Sequence, residues 1–478
     1  MALLYFGMDP GKAEVGPLSD LTNELPVPNA SVVTAERIGV ATKLTHVQWL
    51  VCAIAGVGFA FDLYETLMMP LIVRPTLTDL GHLRPGTPAF NLWVGLLFYI
   101  PNVLGGVFGL LGGYLTDLFG RKRILVWSIL LYSVSACAAS FSTSPTQLLI
   151  FRCGTLIGVS VEFVAAITWL AELFPNPRRR ESILGFTQAF HTVGGLMVAG
   201  AYYLAVTHAE AFPTIRGGHE AWRYTLLSGL IPALPLLLVR PFLPESPLWC
   251  KKKSTVRLER PRISELFQPA LRRTTLVATL LFACSYALPL GALQHTVRMV
   301  SGLADVQSFS PRQLEQAASG VQMFQELGGT TGRILFALLV IHVVSQRRRA
   351  LLFFVPSLIV FPFLYFFAAT RTLALLHLGL FLATMLFNGL HSFWGNYLPR
   401  VYPTRLRATG EGFAANIGGR VIGVSAALLT TTLSNVMPGA GHAAQLAHSA
   451  GTVALFFLVL GAVGTFWLRE PAGDRLPD

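Results

Sequence analysis

Two carboxylates, Asp62 and Glu65, stand in the stretch FAFDLYETLMMP, inside an otherwise almost entirely apolar run from 47 to 73. Because they are three residues apart, they share one face if the run is helical. A charge without a partner inside a membrane is costly, so such groups turn toward a counter-charge or a water-filled cavity. Intramembrane acids of this kind are typical of proton relays.

A basic partner comes from the fourth apolar run, where Arg152 precedes Glu162 in RCGTLIGVSVEF. At about 1.5 Å per residue, Glu65 and Asp62 lie roughly 12 and 16 Å below the end of helix one at which helix four begins, and Arg152 lies roughly 8 Å below it. The side chains can therefore meet. We predict that Asp62, Glu65, Arg152 and Glu162 couple proton movement, with a static salt bridge between helices as the alternative.

The elements that must position these residues are membrane-spanning helices. The chain has 478 residues, of which 53% are hydrophobic and 13% charged, whereas soluble domains carry about a quarter charged residues. Twelve apolar runs are long enough, at about 20 residues, to cross a bilayer. We predict an all-α integral membrane protein with twelve transmembrane helices in two six-helix bundles. The runs lie near 47–73, 91–115, 124–141, 147–171, 182–206, 221–243, 273–297, 316–343, 350–369, 372–397, 410–436 and 449–468.

The distribution of Lys and Arg sets the orientation, because positive charge is held on the cytoplasmic side. With the N-terminus inside, the inside segments carry 25 basic residues and the outside segments carry six. We therefore predict a multi-pass protein of the cell (inner) membrane with both termini cytoplasmic. The predicted parts are a cytoplasmic tail at 1–46, an N-terminal bundle at 47–243, a cytoplasmic linker at 244–272, a C-terminal bundle at 273–468 and a second tail at 469–478.

Composition also narrows the function classes. The five cysteines show no metal-ligand spacing, and no Gly-x-Ser-x-Gly motif or phosphate loop stands out, so we expect neither an enzyme nor a metal site. The net charge of +12 calls for no nucleic acid, because charge asymmetry across the bilayer and attraction to anionic lipid explain it. The expected partners are a small-molecule substrate and the lipid bilayer. We expect a monomer with no cofactor other than the proton as coupling ion.

The loops carry a family resemblance. GGYLTDLFGRKR between helices two and three is similar to the signature loop of the major facilitator superfamily. The spacing of Arg152, Gly158, Glu162, Glu172, Pro175 and Arg179 in and after helix four resembles the metabolite:proton symporters and, in part, the sugar porters. PESPLW after helix six and YPTRLRATGEG after helix ten extend the match across both halves. In these families, an acid of helix one and the arginine of helix four are linked to proton coupling.

The resemblance also implies a cytoplasmic gate. Asp117, near a helix end, can form a charge cluster with the arginines that follow it, locking two helices in one state and releasing them in another. A simple basic turn is the alternative. The equivalent loop of the second half, HVVSQRRR, keeps the arginines but lacks the aspartate and glycine. The predicted gate residues are Gly113, Asp117, Gly120, Arg121, Lys122, Glu172, Arg179 and Arg407.

Arg420 is the main candidate for substrate recognition. It follows two glycines in NIGGRVIG, about ten residues into helix eleven and close to the midplane. A cation at that depth invites an anion, and the open alternative is an ion pair with Glu326 of helix eight. Of the histidines, His191 and His391 are expected to be packing residues. The predicted substrate-binding residues are Arg420, Glu326, Tyr64, Gln188, Gln294, Asn388 and Trp394.

Several functional classes remain, and the resemblance separates them. An efflux antiporter of this superfamily would usually carry a glycine-proline pair in helix five, which here reads GFTQAFHTVGGLMVAG. A hexose porter would carry paired glutamines in helix seven, which reads ACSYALPLGALQHTV. A receptor without transport activity stays open. We therefore predict proton-coupled uptake of a small organic anion, such as a carboxylate or aromatic acid, by alternating access. The alternatives are a symporter for a sugar, polyol or organic cation, and an efflux antiporter.

Overall fold

The computed structural model describes residues 45–174, 177–231, 245–246, 250, 262–339, 343, 345–403 and 406–470. Residues 47–478 belong to one compact unit. The predicted tail at 1–46 and most of the predicted linker at 244–272 lie outside the described residues, as do the side chains of Asp117, Arg179, Gln188 and Arg407. The division into two bundles with a linker therefore stays a prediction.

Long helices make up nearly all of the described chain, which has the twelve-helix architecture expected from the sequence. Helix α6 is described only in its first two turns, and α11 has three successive parts. The bounds are α1 His46–Gly81, α2 Pro88–Phe119, α3 Arg121–Ser140, α4 Pro145–Leu173, α5 Pro177–His208, α6 Ala221–Ser228, α7 Pro269–Gly291, α8 Pro311–Leu339, α9 Gln346–Pro362, α10 Leu373–Tyr397, α11 Arg407–Phe413 with Ala414–Gly423 and Ser425–Leu433, and α12 His442–Gly464.

Capping residues explain where several of these helices begin. Thr87 and Ser144 each precede a proline, and their hydroxyl oxygens accept the backbone N–H groups of Phe90 and Gln147 at 3.3 Å. Proline suits the first helical position because the N–H it lacks would have had no partner there. Within the described residues, nine helices are apolar and long enough to cross a membrane.

Three predicted helices are interrupted rather than continuous. After Gly291, α7 gives way to a 3₁₀ segment at Leu293–Gly302, and α9 continues into a π segment at Phe363–Phe367. Pro289 and Pro362 lie at these transitions, where a missing N–H breaks the regular hydrogen-bond pattern. The middle part of α11, which carries Arg420, is also a π segment. Such widened turns occur frequently at functional sites.

Helix α5 lies between α1 and α8 at two adjacent glycines. A Cβ atom at Gly194 would overlap the carbonyl oxygen of Ala60 in α1, and one at Gly195 would overlap the carboxyl group of Glu326 in α8. In membranes, small residues allow helix backbones this close approach. The glycine pair therefore sets the distance from α5 to both of its neighbours.

Helix α2 uses glycine in the same way against α11. A Cβ atom at Gly106 would lie 2.8 Å from the Cβ of Arg420, and one at Gly109 would lie 2.8 Å from the Oδ1 of Asn416. Both partners belong to the π part of α11. This contact brings Arg420 to the interior of the molecule.

Candidate functional site

Among the described residues of the first six helices, three carboxyl groups are fully buried. Asp62 is 3% exposed, and Glu65 and Glu162 are 0% exposed. Asp62 and Glu65 come from α1, and Glu162 comes from α4. The predicted set of acids is therefore gathered in one region of the fold.

Asp62 and Glu162 form a carboxyl pair. Their carboxyl groups lie within hydrogen-bond reach of each other, and Gly58 makes room, since a Cβ atom there would overlap Glu162. Apart from this mutual contact, no donor among the described residues serves their oxygens. Two carboxylates this close cannot easily both be ionised, so such a pair can hold one proton between its members.

Arg152 reaches α1 through the backbone. Its Nη1 and Nη2 atoms donate to the carbonyl oxygens of Glu65 at 2.5 Å and Thr66 at 3.0 Å. Pro70 lies four residues after Thr66 and lacks the N–H group that would normally donate to the Thr66 carbonyl. Arg152 supplies that missing hydrogen bond. No carboxylate oxygen of the described residues lies within 4.0 Å of Arg152. Arg152 therefore bonds to the backbone of α1 with the Glu65 carboxyl group within electrostatic range, and its role in proton coupling stays a prediction.

Glu65 faces the start of α6 rather than Asp62 or Glu162. A Cβ atom at Gly229 would overlap its Oε1 atom, and the neighbouring Tyr64 hydroxyl lies 2.5 Å from the Ser228 hydroxyl. Tyr64 is 2% exposed and packs against Phe61 with a ring-centroid distance of 5.1 Å. Its predicted role in substrate binding is not tested by these contacts.

Four basic side chains converge from four helices. His191 of α5 lies within electrostatic range of Arg333 of α8, His391 of α10 and Arg420 of α11. Arg420 also lies within electrostatic range of Asp62. Its buried Nη1 atom and the Nδ1 atom of His391 have no hydrogen-bond partner among the described residues. We call His191, Arg333, His391 and Arg420 the central basic group.

An aromatic cluster surrounds one member of the central basic group. The His391 ring lies 5.9 Å from the ring of Phe387 and 6.3 Å from the rings of Phe282 and Tyr286. Trp394 packs 5.7 Å from Phe282 and donates from Nε1 to the Ser285 hydroxyl at 2.6 Å. Flat rings beside cationic groups suit an unsaturated or aromatic anion.

The remaining predicted substrate residues have varied partners. Glu326 accepts hydrogen bonds from Gln322 at 3.0 Å and Gln325 at 3.2 Å, and it makes no ion pair with Arg420 within 4.0 Å. The alternative pairing of these two residues is therefore wrong. Asn388 accepts from Arg333 at 3.4 Å, and Gln294 is 4% exposed with a free Oε1 atom within the described chain.

Sequence reasoning missed His191 and His391 as site residues. A single histidine in an apolar helix is usually a packing residue, and the two lie 200 positions apart. Nothing local in the sequence indicates that they meet. The missing signal is the approach of α5 to the second six helices, which the Gly194–Gly195 pair permits.

Two of the predicted gate residues, Arg121 and Glu172, form an ion pair. The guanidinium group of Arg121 donates to both carboxylate oxygens of Glu172, from Nη2 at 2.8 Å and from Nε at 2.9 Å. Its backbone N–H and that of Lys122 donate to Glu245 Oε1 at 2.9 and 3.1 Å. Gly120 has φ +99°, a conformation that favours glycine, and it joins α2 directly to α3. Glu245, in the PESPLW motif, is a partner that the sequence analysis did not assign.

The second half has a related arrangement built from a different residue. Glu470 accepts the backbone N–H groups of Gln346 and Arg347, each at 2.9 Å, and the Ser345 hydroxyl at 2.7 Å. Partial burial works to raise the pKa of Glu470, but these hydrogen bonds and the charge of Arg347 together lower it below its usual value. A carboxylate at a helix N-terminus is stabilised by the unpaired N–H groups there. Glu470 thus does at the start of α9 what Glu245 does at the start of α3.

The known proteins that this chain is similar to are membrane transporters. The sequence profile described as Major Facilitator Superfamily matches residues 54–427. The probable 4-methylmuconolactone transporter of Cupriavidus pinatubonensis is 27% identical over 87% of this chain and 89% of its own length. The cis,cis-muconate transport protein of Acinetobacter baylyi is 26% identical over 75% of this chain and 78% of its own length.

The solved structures agree on the fold. The crystal structure of a D-xylose-proton symporter superimposes with a TM-score of 0.68. It covers 89% of this chain and 99% of its own, at 18% sequence identity. A likeness at this identity concerns the arrangement of helices and leaves the substrate open.

Proposed function

The chain belongs to the Major Facilitator Superfamily, and from this premise we propose that it is a proton-coupled symporter that takes up a small organic anion. The family consists of secondary transporters rather than enzymes, and this chain is a multi-pass membrane protein. We place it in the cell (inner) membrane as a monomer with both termini cytoplasmic.

The central basic group carries the proposal. A buried, unsatisfied guanidinium group is costly in a membrane unless an anion or water offsets its charge. In Arg420 the buried Nη1 atom has no hydrogen-bond partner among the described residues, and Arg333 adds to the positive potential around the neighbouring His191. A carboxylate is the ligand that a guanidinium group binds in bidentate geometry. The aromatic rings beside His391 favour a planar or unsaturated body for that carboxylate.

The carboxyl pair of Asp62 and Glu162 is the proposed carrier of the coupled proton. Asp62 lies within electrostatic range of Arg420, so the charge of the pair and the occupancy of the arginine influence each other. With substrate on Arg420, the pair loses the benefit of that cation and holds its proton more firmly. Proton and anion would then move together, and their release on the other side would follow in reverse.

The names of relatives are consistent with this substrate class. One relative is a cis,cis-muconate transport protein, and another is a probable 4-methylmuconolactone transporter. An arabinose-proton symporter also matches, at 25% identity over 56% of this chain. The sugar alternative is therefore included in the experiment.

Uptake by proteoliposomes tests the proposal. Purified protein is reconstituted, and labelled cis,cis-muconate, benzoate and D-xylose are offered with and without an inward proton gradient. We expect gradient-dependent accumulation of at least one acid and none of xylose. Accumulation of xylose alone would establish the sugar alternative instead.

A pair of arginine variants tests the role of Arg420. Loss of a charge-assisted hydrogen bond costs about 1.5–3 kcal/mol, so Arg420→Gln should raise the half-saturating concentration of the acid by about 10- to 100-fold. Arg348→Gln removes an exposed arginine and should leave uptake unchanged. Unaltered concentration dependence in Arg420→Gln would remove this residue from the binding site.

A further inference from the structure

A cavity of about 360 Å³ lies at the predicted external face, away from the central basic group. Its walls come from both halves of the chain. Arg74 belongs to the outer part of α1, Phe90 to the start of α2, Arg298 to the segment after α7, and His442 to the start of α12. We call it the external cavity.

The charged residues that line the external cavity are both arginines. Arg74 and Arg298 line it together with His442, and no acidic residue is among the lining residues, although Glu315 of α8 lies within electrostatic range of Arg74. Arg298 is only 6% exposed and lies within electrostatic range of Arg74. Like charges within electrostatic range repel each other, and an anion bound between them would lower that repulsion.

The donors in the external cavity are only partly used. Arg298 donates to Asn91 at 3.1 Å and contacts His295 at 3.2 Å, and the Nε2 atom of His442 has no hydrogen-bond partner within the described chain. His442 also opens α12, where the N-cap residue Gly441 offers no side chain. The first N–H groups of a helix without a side-chain cap favour an anion.

The same residues join the two halves of the molecule. Arg298 and the side chains of Ser434 and Asn435 all bond to Asn91 of α2, with the latter two accepting from its Nδ2 at 3.2 and 2.7 Å. A Cβ atom at Gly86 would lie 2.8 Å from the His442 ring. Opening the molecule on this face would separate Arg74 from Arg298 and His442.

We propose that the external cavity is an anion-binding site that takes the carboxylate or phosphate group of a small anion between Arg74 and Arg298, with His442 and the N-terminus of α12 as further ligands. Such an anion binds only when the two halves are closed on this face. By linkage, its binding stabilises the closed state. The site is separate from the central basic group and does not depend on which substrate that group takes.

Calorimetric titration of the full chain in phosphatidylcholine nanodiscs tests the site, with sodium succinate and inorganic phosphate as probes. An Arg420→Gln background weakens the central site. In that background, Arg74→Gln should weaken probe binding by about 10- to 100-fold, because one charge-assisted contact is lost. Arg371→Gln, which removes an exposed arginine of the same face outside the cavity lining, should have no effect. Equal binding with and without Arg74 would overturn the proposal.

Two further arms separate the sources of the anion and test the linkage. Nanodiscs with one-fifth phosphatidylglycerol should bind the probes as before if a free anion is the ligand, and more weakly if a lipid headgroup occupies the site.

The linkage between anion binding and closure is tested by cysteine labelling. Ser434→Cys replaces a buried hydroxyl at the contact between the halves. Succinate or phosphate should slow its labelling by an impermeant maleimide severalfold, and not in Arg74→Gln. A labelling rate that is the same with and without succinate or phosphate would show that closure and anion binding are not linked.

Discussion

At the scale of single residues, Pro70 of α1 accounts for the position of the Arg152 guanidinium group. Proline leaves the carbonyl of Thr66 without its usual backbone partner, and the arginine of α4 donates to that carbonyl and to the one before it. An unsatisfied carbonyl in a membrane would cost several kcal/mol. Arg152 therefore satisfies the backbone of α1 next to Glu65 while keeping its positive charge among the acids.

The buried acids give the first prediction. If Asp62 and Glu162 share the transported proton, Asp62→Asn and Glu162→Gln should each abolish accumulation driven by a proton gradient. Substrate counterflow, which needs no net proton movement, should be at least partly retained. Both are measured in proteoliposomes with the same labelled substrate.

Glu65→Gln serves as the internal comparison, because Glu65 lies against Gly229 and within electrostatic range of Asp62 without forming the mutual carboxyl contact of the pair. We expect a smaller loss of accumulation in that variant. The double variant Asp62→Asn/Glu162→Gln decides whether the pair carries the proton. If it still accumulates substrate with the wild-type dependence on the proton gradient, the pair is structural, and Glu65 or Glu326 is the next candidate carrier.

At the scale of helices, the glycine pair of α5 decides how two neighbours approach. This gives the second prediction. A Cβ atom at Gly194 meets backbone that cannot rotate away, so Gly194→Ala should lower stability by about 1–3 kcal/mol through overpacking. Thermal unfolding of the purified variants measures the change.

Gly200 of the same helix is the matched control, because a Cβ atom there has nothing within 4 Å. Alanine in a helix is favoured over glycine by roughly 0.5–1 kcal/mol, so Gly200→Ala should be neutral or slightly stabilising. Gly195→Ala meets the end of the flexible Glu326 side chain and should impair transport more than stability. Equal thermal stability of Gly194→Ala and Gly200→Ala would contradict the packing argument.

The third prediction concerns the turn between α2 and α3. Arg121 is held by Glu172 through two hydrogen bonds, and its charge cluster was predicted to include Asp117. Glu172→Gln and Asp117→Asn should therefore change the rate of conformational exchange more than substrate affinity. Counterflow rates and binding constants separate the two effects.

Glu210→Gln, an exposed acid of the predicted external loop, is the control for the gate variants. Ordinary exchange rates combined with a large loss of substrate affinity in Glu172→Gln would place the residue in substrate binding instead of the gate.

At the scale of the whole molecule, the orientation in the membrane follows from charge and gives the fourth prediction. The segment from Lys251 to Lys253 should be cytoplasmic and the loop at 207–220 external. A cysteine introduced in that loop should react with an impermeant reagent in intact cells, and one in the lysine segment should react only after lysis. Reaction of the lysine segment from outside would reverse the orientation.

The two halves also share a way of closing their cytoplasmic turns. Glu245 follows the sixth predicted helix and accepts the first N–H groups of α3, and Glu470 follows α12 and accepts the first N–H groups of α9. In each half, a carboxylate near the end of the bundle holds the start of its third helix. The residues around it differ, because any carboxylate within reach satisfies those N–H groups.

The amino-acid sequence by itself determined the class of the protein, the number of its helices and which acids are buried among the described residues, though not the burial of Arg223 and Arg298. These depend on composition and on the length of apolar runs, which the thickness of a bilayer imposes directly. The motif loops carried the family, and the profile match confirmed it. The interruptions of α7, α9 and α11 were not predicted, because hydropathy measures length and does not measure backbone geometry.

The tertiary structure alone decided which buried charge meets which. Asp62 and Glu65 were expected to act together because residues three positions apart on a helix share a face. In the structure, Asp62 pairs with Glu162, and Glu65 lies against Gly229 after the described part of α6. Arg152 donates to backbone carbonyls of α1, with the Glu65 carboxyl group within electrostatic range. Partner choice depends on the rotation and spacing of packed helices. The rotation and spacing depend on what each small residue meets in another helix, as Gly58 meets Glu162 and Gly194 meets Ala60, and the sequence around one helix does not contain that information.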